Sequence, residues 1–118
     1  MIRRANEKRE LTMENALGGN GSIFHKVIIE LDEFKGAGRL YNIVTFPPKS
    51  SIGYHVHTGE SETYMVLQGK GQYSDNGVLT EISVGDIAYC PPGEGHGLEN
   101  IGDEELVIVA LVIFDKTN

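Results

Sequence analysis

The alternation of apolar and polar residues predicts many short β-strands. From residue 39 onward, stretches rich in Val, Ile, Tyr, Phe and Thr are separated by Gly- and Pro-containing turns, and no 3.6-residue period is evident. The predicted strands are residues 39–46, 54–58, 62–68, 72–74, 78–82, 87–90, 96–100 and 106–114. The last is apolar at nearly every position, which predicts burial on both faces. This spacing of strands and turns is typical of an all-β sandwich or barrel.

Any helix is expected in the first 35 residues. Residues 10–17 could form a short helix, residues 18–22 a flexible loop, residues 26–30 a strand and residues 31–35 a turn. The predicted organisation is therefore an N-terminal segment, residues 1–35, followed by one β-domain, residues 36–118.

Composition narrows the function classes. The chain has 118 residues, enough for one domain, and a net charge of −7. This acidity argues against a nucleic-acid surface and against binding to an anionic membrane. A single cysteine excludes an intrachain disulfide, and the N-terminus shows no apolar run typical of a signal peptide. We expect a cytoplasmic protein.

Three of the four histidines lie where they could bind a metal ion together. His55 and His57 are two residues apart, so on a strand both side chains project from the same face. Glu62 follows after a span that allows a tight turn, and His96 begins a later strand. Three imidazoles and a carboxylate suit a divalent first-row metal, whereas a His-x-His pair alone is more often solvent-exposed. Around a six-coordinate ion, such a set leaves two adjacent positions and a formal charge of +1, which favours an anionic ligand.

Two stretches carry a family resemblance. Residues 49–69 resemble the first motif of the cupin superfamily, with Lys49 where that family usually has glycine, and residues 85–100 resemble the second motif. The matching residues of the first are His55, His57, Glu62 and Gly69; those of the second are Gly85, Pro91, Gly93, His96 and Asn100. The short spacer between the motifs is similar to that of small single-domain cupins.

The resemblance implies a conical β-barrel, also called a jelly roll or double-stranded β-helix, with a metal site inside it. It implies His55, His57, Glu62 and His96 as ligands of one ion of Mn, Fe, Ni, Cu or Zn, and no organic cofactor is expected. The fold does not specify a reaction. The first hypothesis is a metal-dependent enzyme acting on a small, oxygen-rich or anionic substrate by oxidation (as an oxidoreductase), decarboxylation or isomerisation. The alternative is a non-catalytic protein that binds or senses a small anion through the metal.

Other side chains are weaker candidates. Glu60 could act as a base but is more typical of a solvent-exposed loop, and Tyr64 could act as an acid but is more typical of a core aromatic. If the odd-numbered face of strand 39–46 lines the interior, Arg39 or Tyr41 could bind a carboxylate. Cys90 is expected to be a buried structural thiol rather than a nucleophile. His25 lies outside both motifs and is expected at the surface or at an interface.

A homodimer is the expected assembly because closed two-fold dimers are the commonest soluble oligomers. Small cupins often pair through a sheet edge. The N-terminal segment, to about residue 17, has no evident place in the barrel and is a candidate for that contact.

Overall fold

Ten β-strands account for most of the computed structural model, which describes residues 1–116. They are β1 (Glu10–Glu14), β2 (Ser22–Ile29), β3 (Gly38–Phe46), β4 (Ser51–Val56), β5 (Glu60–Gln68), β6 (Lys70–Asp75), β7 (Val78–Ser83), β8 (Ile87–Cys90), β9 (Gly95–Asn100) and β10 (Leu106–Phe114). Short 3₁₀ turns occupy Ala5–Glu7, Ala16–Gly18 and Leu31–Phe34. Within residues 1–116, no helix has the length and hydropathy needed to cross a bilayer.

The strands form two antiparallel sheets packed face to face. One has six strands in the order β1-β2-β3-β10-β5-β8, and the other has four in the order β4-β9-β6-β7. Apolar side chains from both sheets, such as Val44 and Ile108 from the first and Leu98 from the second, form one core. This confirms the expected all-β double-stranded β-helix, although hydrogen bonds do not close the sheets into a continuous barrel.

Strand β10 lies in the middle of the six-stranded sheet, between β3 and β5. Its inward residues, from Leu106 to Val112, are at most 2% exposed. The prediction of burial on both faces is wrong for the single chain: the outward residues are half-buried, and Ile113 is 45% exposed. Only one face of this sheet is covered by the second sheet.

The structure decides which face of β3 lines the interior. Asn42, Val44 and Phe46 are buried and Leu40 packs against the core, so the even-numbered face points inward. Tyr41 therefore projects to the outer face of the sheet, and the condition under which it would bind a carboxylate is not met.

The expected helix at residues 10–17 is wrong. Residues 10–14 form β1, an edge strand that pairs with β2, with Leu11 opposite His25. Asn15 and Leu17, which follow the strand, adopt left-handed backbone conformations with φ values of 49° and 50°, so the segment is not helical at its end either. Ladder hydrogen bonds to β2 thus override the helix propensity of this segment.

The glycine-rich loop after β1, which was expected to be flexible, is hydrogen-bonded to β4. Ser51 N donates to Asn20 O at 2.9 Å, and Asn20 N donates to Ser51 Oγ at the same distance. A Cβ atom at Gly53 would collide with the carbonyl oxygen of Leu17. The N-terminal segment thereby supports the strand that carries His55.

Lys49 takes the conformation that glycine would take at this position. Its φ is 71°, and its N–H donates to Asn100 O at 3.1 Å. Because a left-handed lysine costs about 1–2 kcal/mol and glycine loses about 0.5–1 kcal/mol in chain entropy, we expect K49G to stabilise the fold by about 0.5–1 kcal/mol.

Urea unfolding of K49G and wild type measures this difference. The matched control is K26G, at an exposed site in the extended strand β2, which we expect to destabilise the protein by about 0.5–1 kcal/mol. Equal losses in both variants would show that the backbone of Lys49 is not strained.

Candidate metal centre

Two neighbouring strands of the four-stranded sheet bring three imidazoles together. His55 on β4 lies directly opposite His96 on β9. His57 follows the end of β4, where its N–H donates to Glu94 O at 3.0 Å and its carbonyl accepts from Gly93 N at 2.7 Å. These bonds join the first histidine pair to the turn that precedes His96. The three ring centroids lie 4.6–5.0 Å apart.

Glu62 reaches the same point from β5 in the opposite sheet. Its Oε1 lies 3.0 Å from Nε2 of His57, 3.0 Å from Nε2 of His96 and 3.7 Å from Nε2 of His55. The four ligand atoms lie within 4.8 Å of one another, and three of the four residues are buried. The structure therefore brings together all four residues that the sequence selected.

The spacing suits a single first-row ion. Two ligand atoms about 2.1 Å from one ion and at right angles to each other are about 3.0 Å apart. The two close carboxylate–imidazole pairs match this separation, as does the 3.1 Å between Nε2 of His57 and Nε2 of His96. These residues are positioned for a metal ion.

The outer nitrogen of each imidazole has its own partner. Nδ1 of His55 donates to Gly53 O at 2.7 Å, Nδ1 of His57 donates to Glu60 Oε2 at 2.6 Å, and Nδ1 of His96 pairs with the Tyr73 hydroxyl at 2.9 Å. A ring that is neutral and protonated on Nδ1 would present its Nε2 lone pair to a metal ion, whereas a ring that carries a proton on Nε2 can donate it to Glu62. Such outer partners orient metal-binding imidazoles and raise their basicity.

The imidazoles around Glu62 favour the ionised form of its carboxylate. Burial alone would raise the pKa of Glu62, but the three neighbouring histidines, of which His57 and His96 lie within hydrogen-bond distance of Oε1, hold that pKa well below its usual range. The hydrogen bond to Glu62 raises the pKa of His57, and that to Glu60 adds to the effect. Burial lowers the pKa of His96. The centre therefore keeps an anionic oxygen over a wide pH range.

Glu60 is neither free nor solvent-exposed. Arg39 donates to both of its oxygens, at 2.7 and 2.6 Å, and His57 donates to Oε2. The hydrogen bond from Arg39 lowers the pKa of Glu60, despite the opposing effect of burial. These contacts favour positioning of His57 over action as a base.

We expect E60Q to retain the fold and to lower metal affinity by about tenfold to a hundredfold, because the amide accepts a weaker hydrogen bond from His57. Competition with a chelating dye measures the affinity. E30Q is the matched control, since it disrupts the surface fork between Arg9 and Glu30 without touching the centre. Equal affinity in E60Q and wild type would contradict a positioning role for Glu60.

Tyr64 and Cys90 are both buried close to Glu62. Tyr64 stacks on His96, with ring centroids 4.8 Å apart and an interplanar angle of 19°. Burial raises its pKa well above the usual value, and its hydrogen bond to Glu62 adds to this shift, so the phenol stays protonated. Burial also raises the pKa of the Cys90 thiol to about 11, which favours the structural interpretation.

A cavity of about 130 Å³ opens beside the centre. His55, His57 and Glu62 line it, and most of the remaining wall is apolar, including Ile23, Phe46, Ile52, Ile108 and Ala110. Its volume is well below the roughly 300–1,000 Å³ of pockets for drug-sized ligands. The space suits a molecule of only a few heavy atoms.

Sequence reasoning missed His25. Expected at the surface or an interface, it is only 7% exposed and lines the same cavity. Strand β2 begins four residues earlier than predicted, so Ile23, His25 and Val27 share the inward face. Extending the two-residue alternation back from Val27 would have revealed this placement.

Asn100, the last residue of the second motif, has a structural role. Its side-chain amide donates to Phe46 O at 2.7 Å and to Glu104 O at 2.9 Å, and its oxygen accepts from Gly102 N at 2.9 Å. It thus ties three chain segments together at the end of β9, away from the ligand atoms.

Comparison with known proteins agrees with this architecture. Residues 42–114 match the family described as the Cupin domain, more than half of the chain. The chain belongs to the cupin family.

This cupin is similar to proteins connected with oxalate. It is 34% identical over 113 residues to an oxalate-binding protein of Thermotoga maritima, covering 96% of this chain and 93% of the relative. A crystal structure described as a predicted oxalate decarboxylase of Thermotoga maritima has a TM-score of 0.92 and 33% identity, covering 97% of this chain and 99% of that one. Oxalate decarboxylase OxdC of Bacillus subtilis is 34% identical over 74 residues, which are 58% of this chain and 19% of that protein.

Proposed function

We propose that this cupin binds a small carboxylate anion, such as oxalate, through one divalent transition metal ion held by His55, His57, Glu62 and His96. The observation that carries the proposal is the convergence of these four residues, three of which (His55, His57 and Glu62) line one small, largely apolar cavity. The ion can be Mn, Fe, Ni, Cu or Zn, since imidazole and carboxylate ligands accept all five.

Charge supports an anion as the ligand. Arg39 and Glu60 neutralise each other through their paired hydrogen bonds. A divalent ion with the single carboxylate of Glu62 carries a formal charge of +1 inside a weakly polar cavity. A bound metal ion supplies a Lewis acid that coordinates carboxylate oxygens directly. An anion is therefore the ligand that best balances the site.

Size supports a small ligand. A cavity of about 130 Å³ has room for a dicarboxylate of a few heavy atoms. The similarity to an oxalate-binding protein across nearly the whole chain favours oxalate in particular.

Enzymatic decarboxylation is the second candidate. It is favoured by the similarity to part of an oxalate decarboxylase and by the protonated Tyr64 phenol beside Glu62. Against it, both oxygens of Glu60 are already engaged, and Glu62, which is the carboxylate lining the cavity among residues 1–116, belongs to the metal-ligand set. Binding without turnover requires no base, so we rank binding first.

Calorimetric titration of metal-loaded protein with oxalate tests the proposal. We expect one oxalate to bind per metal ion, with no binding after a chelator removes the metal, and with acetate weaker because it lacks a second carboxylate. Formation of formate and CO₂ during incubation would favour the enzyme. Absence of oxalate binding by the loaded protein would overturn the proposal.

We also propose a homodimer formed through the outer face of the six-stranded sheet. Register aligns Ile43, Val109, Met65 and Ile87 in an uncharged row across β3, β10, β5 and β8. Ile87 is 57% exposed and Met65 is 36% exposed. On a chain with a net charge of −7, a contiguous apolar row of this kind fits a self-complementary contact.

Light scattering after size exclusion measures the mass of the assembly. We expect a dimer for the wild type and a monomer for M65E. V78E, at an exposed site on β7 of the other sheet, should remain dimeric. A monomeric wild type at micromolar concentration would contradict this assembly.

A further inference from the structure

The cavity contains a buried polar atom without a partner. Among the buried side-chain nitrogen and oxygen atoms of residues 1–116, Nε2 of His25 has no hydrogen-bond partner. The imidazole is 7% exposed and lines the same cavity as His55, His57 and Glu62. Because an unpaired buried polar group is costly, such an atom in a native fold calls for an explanation.

The neighbour of His25 determines which ring nitrogen carries the proton. Nδ2 of Asn42 lies 3.0 Å from Nδ1 of His25. An amide nitrogen can only donate, so Nδ1 accepts and the proton of the neutral ring lies on Nε2. The unpaired atom is therefore an N–H donor. Burial lowers the pKa of His25, which agrees with a neutral ring.

The other polar groups of the cavity are already engaged. Arg39 is bound to Glu60, the Tyr64 phenol interacts with Glu62, and the outer nitrogens of His55 and His57 are paired. His25 thus offers a fixed, unused donor within a largely apolar wall. A donor in this setting is available to an acceptor oxygen of a molecule that enters the cavity.

The inner face of the six-stranded sheet leaves room beside this donor, because two strands separate it from Glu62 and a small residue lies between them. His25 lies on β2 opposite Val44, while the ligand Glu62 lies on β5, with β3 and β10 between these two strands. In the next row of the sheet, β10 contributes the small residue Ala110 between Asn42 and Tyr64. Ala110 lines the cavity, so the space extends across the inner face from Glu62 toward His25.

We propose that His25 is a specificity-determining residue whose Nε2–H donates a hydrogen bond to a carboxylate oxygen of the anion bound at the metal centre, with Asn42 holding the ring in the donating tautomer. This inference rests on the proposed function and names a residue outside both cupin motifs that selects the ligand. A dicarboxylate would place one carboxylate at the metal and offer an acceptor to His25. Neutral ligands would gain less from this donor, because hydrogen bonds to charged acceptors are the stronger ones.

The test compares zinc-loaded wild type with H25F and H25Q, using oxalate as the probe. Zinc permits NMR because it is diamagnetic. We expect H25F to retain about one zinc per chain while its affinity for oxalate falls by about tenfold to a hundredfold. H25Q, which retains an N–H donor, should recover part of that affinity.

A measurement on the wild type keeps the inference testable if H25F does not fold. In ¹⁵N-labelled protein we expect the His25 ring to carry its proton on Nε2, and we expect that proton resonance to move downfield when oxalate is added. A ring protonated on Nδ1, or an Nε2 proton unaffected by bound oxalate, would overturn the inference.

The outcomes separate the two proposals. If wild type binds oxalate and H25F binds it within about twofold as well, the role of His25 is wrong and the proposed function stands. If H25F loses its zinc, His25 supports the metal site instead, which also overturns the inference. If zinc-loaded wild type binds no oxalate, both proposals fall.

Discussion

Replacing His96 with alanine is expected to reduce the metal content of the purified protein from about one equivalent to less than roughly a tenth. Nε2 of His96 lies 3.0 Å from Oε1 of Glu62 and 3.1 Å from Nε2 of His57, and the residue is fully buried. Truncation to alanine therefore removes one of the four ligands and leaves a gap in the buried side of the centre. Elemental mass spectrometry on untagged protein measures the content. H57A should lose its metal to the same extent, because Nε2 of His57 also lies 3.0 Å from Oε1 of Glu62.

Thermal unfolding provides an independent measurement. Metal at about a hundredfold excess over its Kd should stabilise the wild type by about 2.7 kcal/mol, a rise in Tm of roughly 10 °C. H96A should show no rise. E99A is the matched control, because Glu99 lies on the same strand but outside the ligand cluster. Stoichiometric metal in both H96A and H57A would refute the four-residue site.

Acidification is expected to release the metal. A histidine ligand binds metal only as neutral imidazole, so each proton that the site takes up weakens binding. The hydrogen bond to Glu62 raises the pKa of His57, so protonation of this ring begins above the ordinary value of about 6.5. Below that pH, we expect apparent affinity to fall by at least about tenfold per pH unit. Chelator competition between pH 8 and pH 5 measures the slope.

E60Q provides a comparison for this pH dependence. Glu60 is the second carboxylate that raises the pKa of His57, so its neutralisation should move the onset of metal release to lower pH. The lowered pKa of Glu62 means that the carboxylate itself should not titrate in this range. Affinity independent of pH would show that the imidazoles do not ligate the metal.

Much of the candidate site could be predicted because its signals are local. His55 and His57 are two residues apart, and their side chains reach one point although His57 lies just beyond β4. The second motif places His96 after a turn whose backbone bonds to His57. Even Lys49, which departs from the family pattern, keeps the left-handed backbone expected of the glycine it replaces.

The N-terminal strands were harder to predict because their signals are weak. All five residues of β1 are exposed, so burial leaves no alternating pattern there, and its composition suits a helix equally well. The strand exists because β2 supplies a partner, and that pairing is a property of the whole sheet. His25 was missed for a different reason: β2 does alternate, but the strand was predicted to begin only at residue 26, so His25 fell outside it.

Three features follow from the order of residues alone: the short antiparallel strands, the resemblance to the cupins, and the four residues that can meet at a metal ion. Two-residue periodicity and motif spacing carry that information, because both depend on neighbours along the chain. The packing of the two sheets was needed to show that Asn42 rather than Tyr41 faces inward, that Arg39 and Glu60 hold His57, and that His25 reaches the cavity. Alternation divides a strand into two faces but cannot say which one is buried, because that depends on the sheet packed against it.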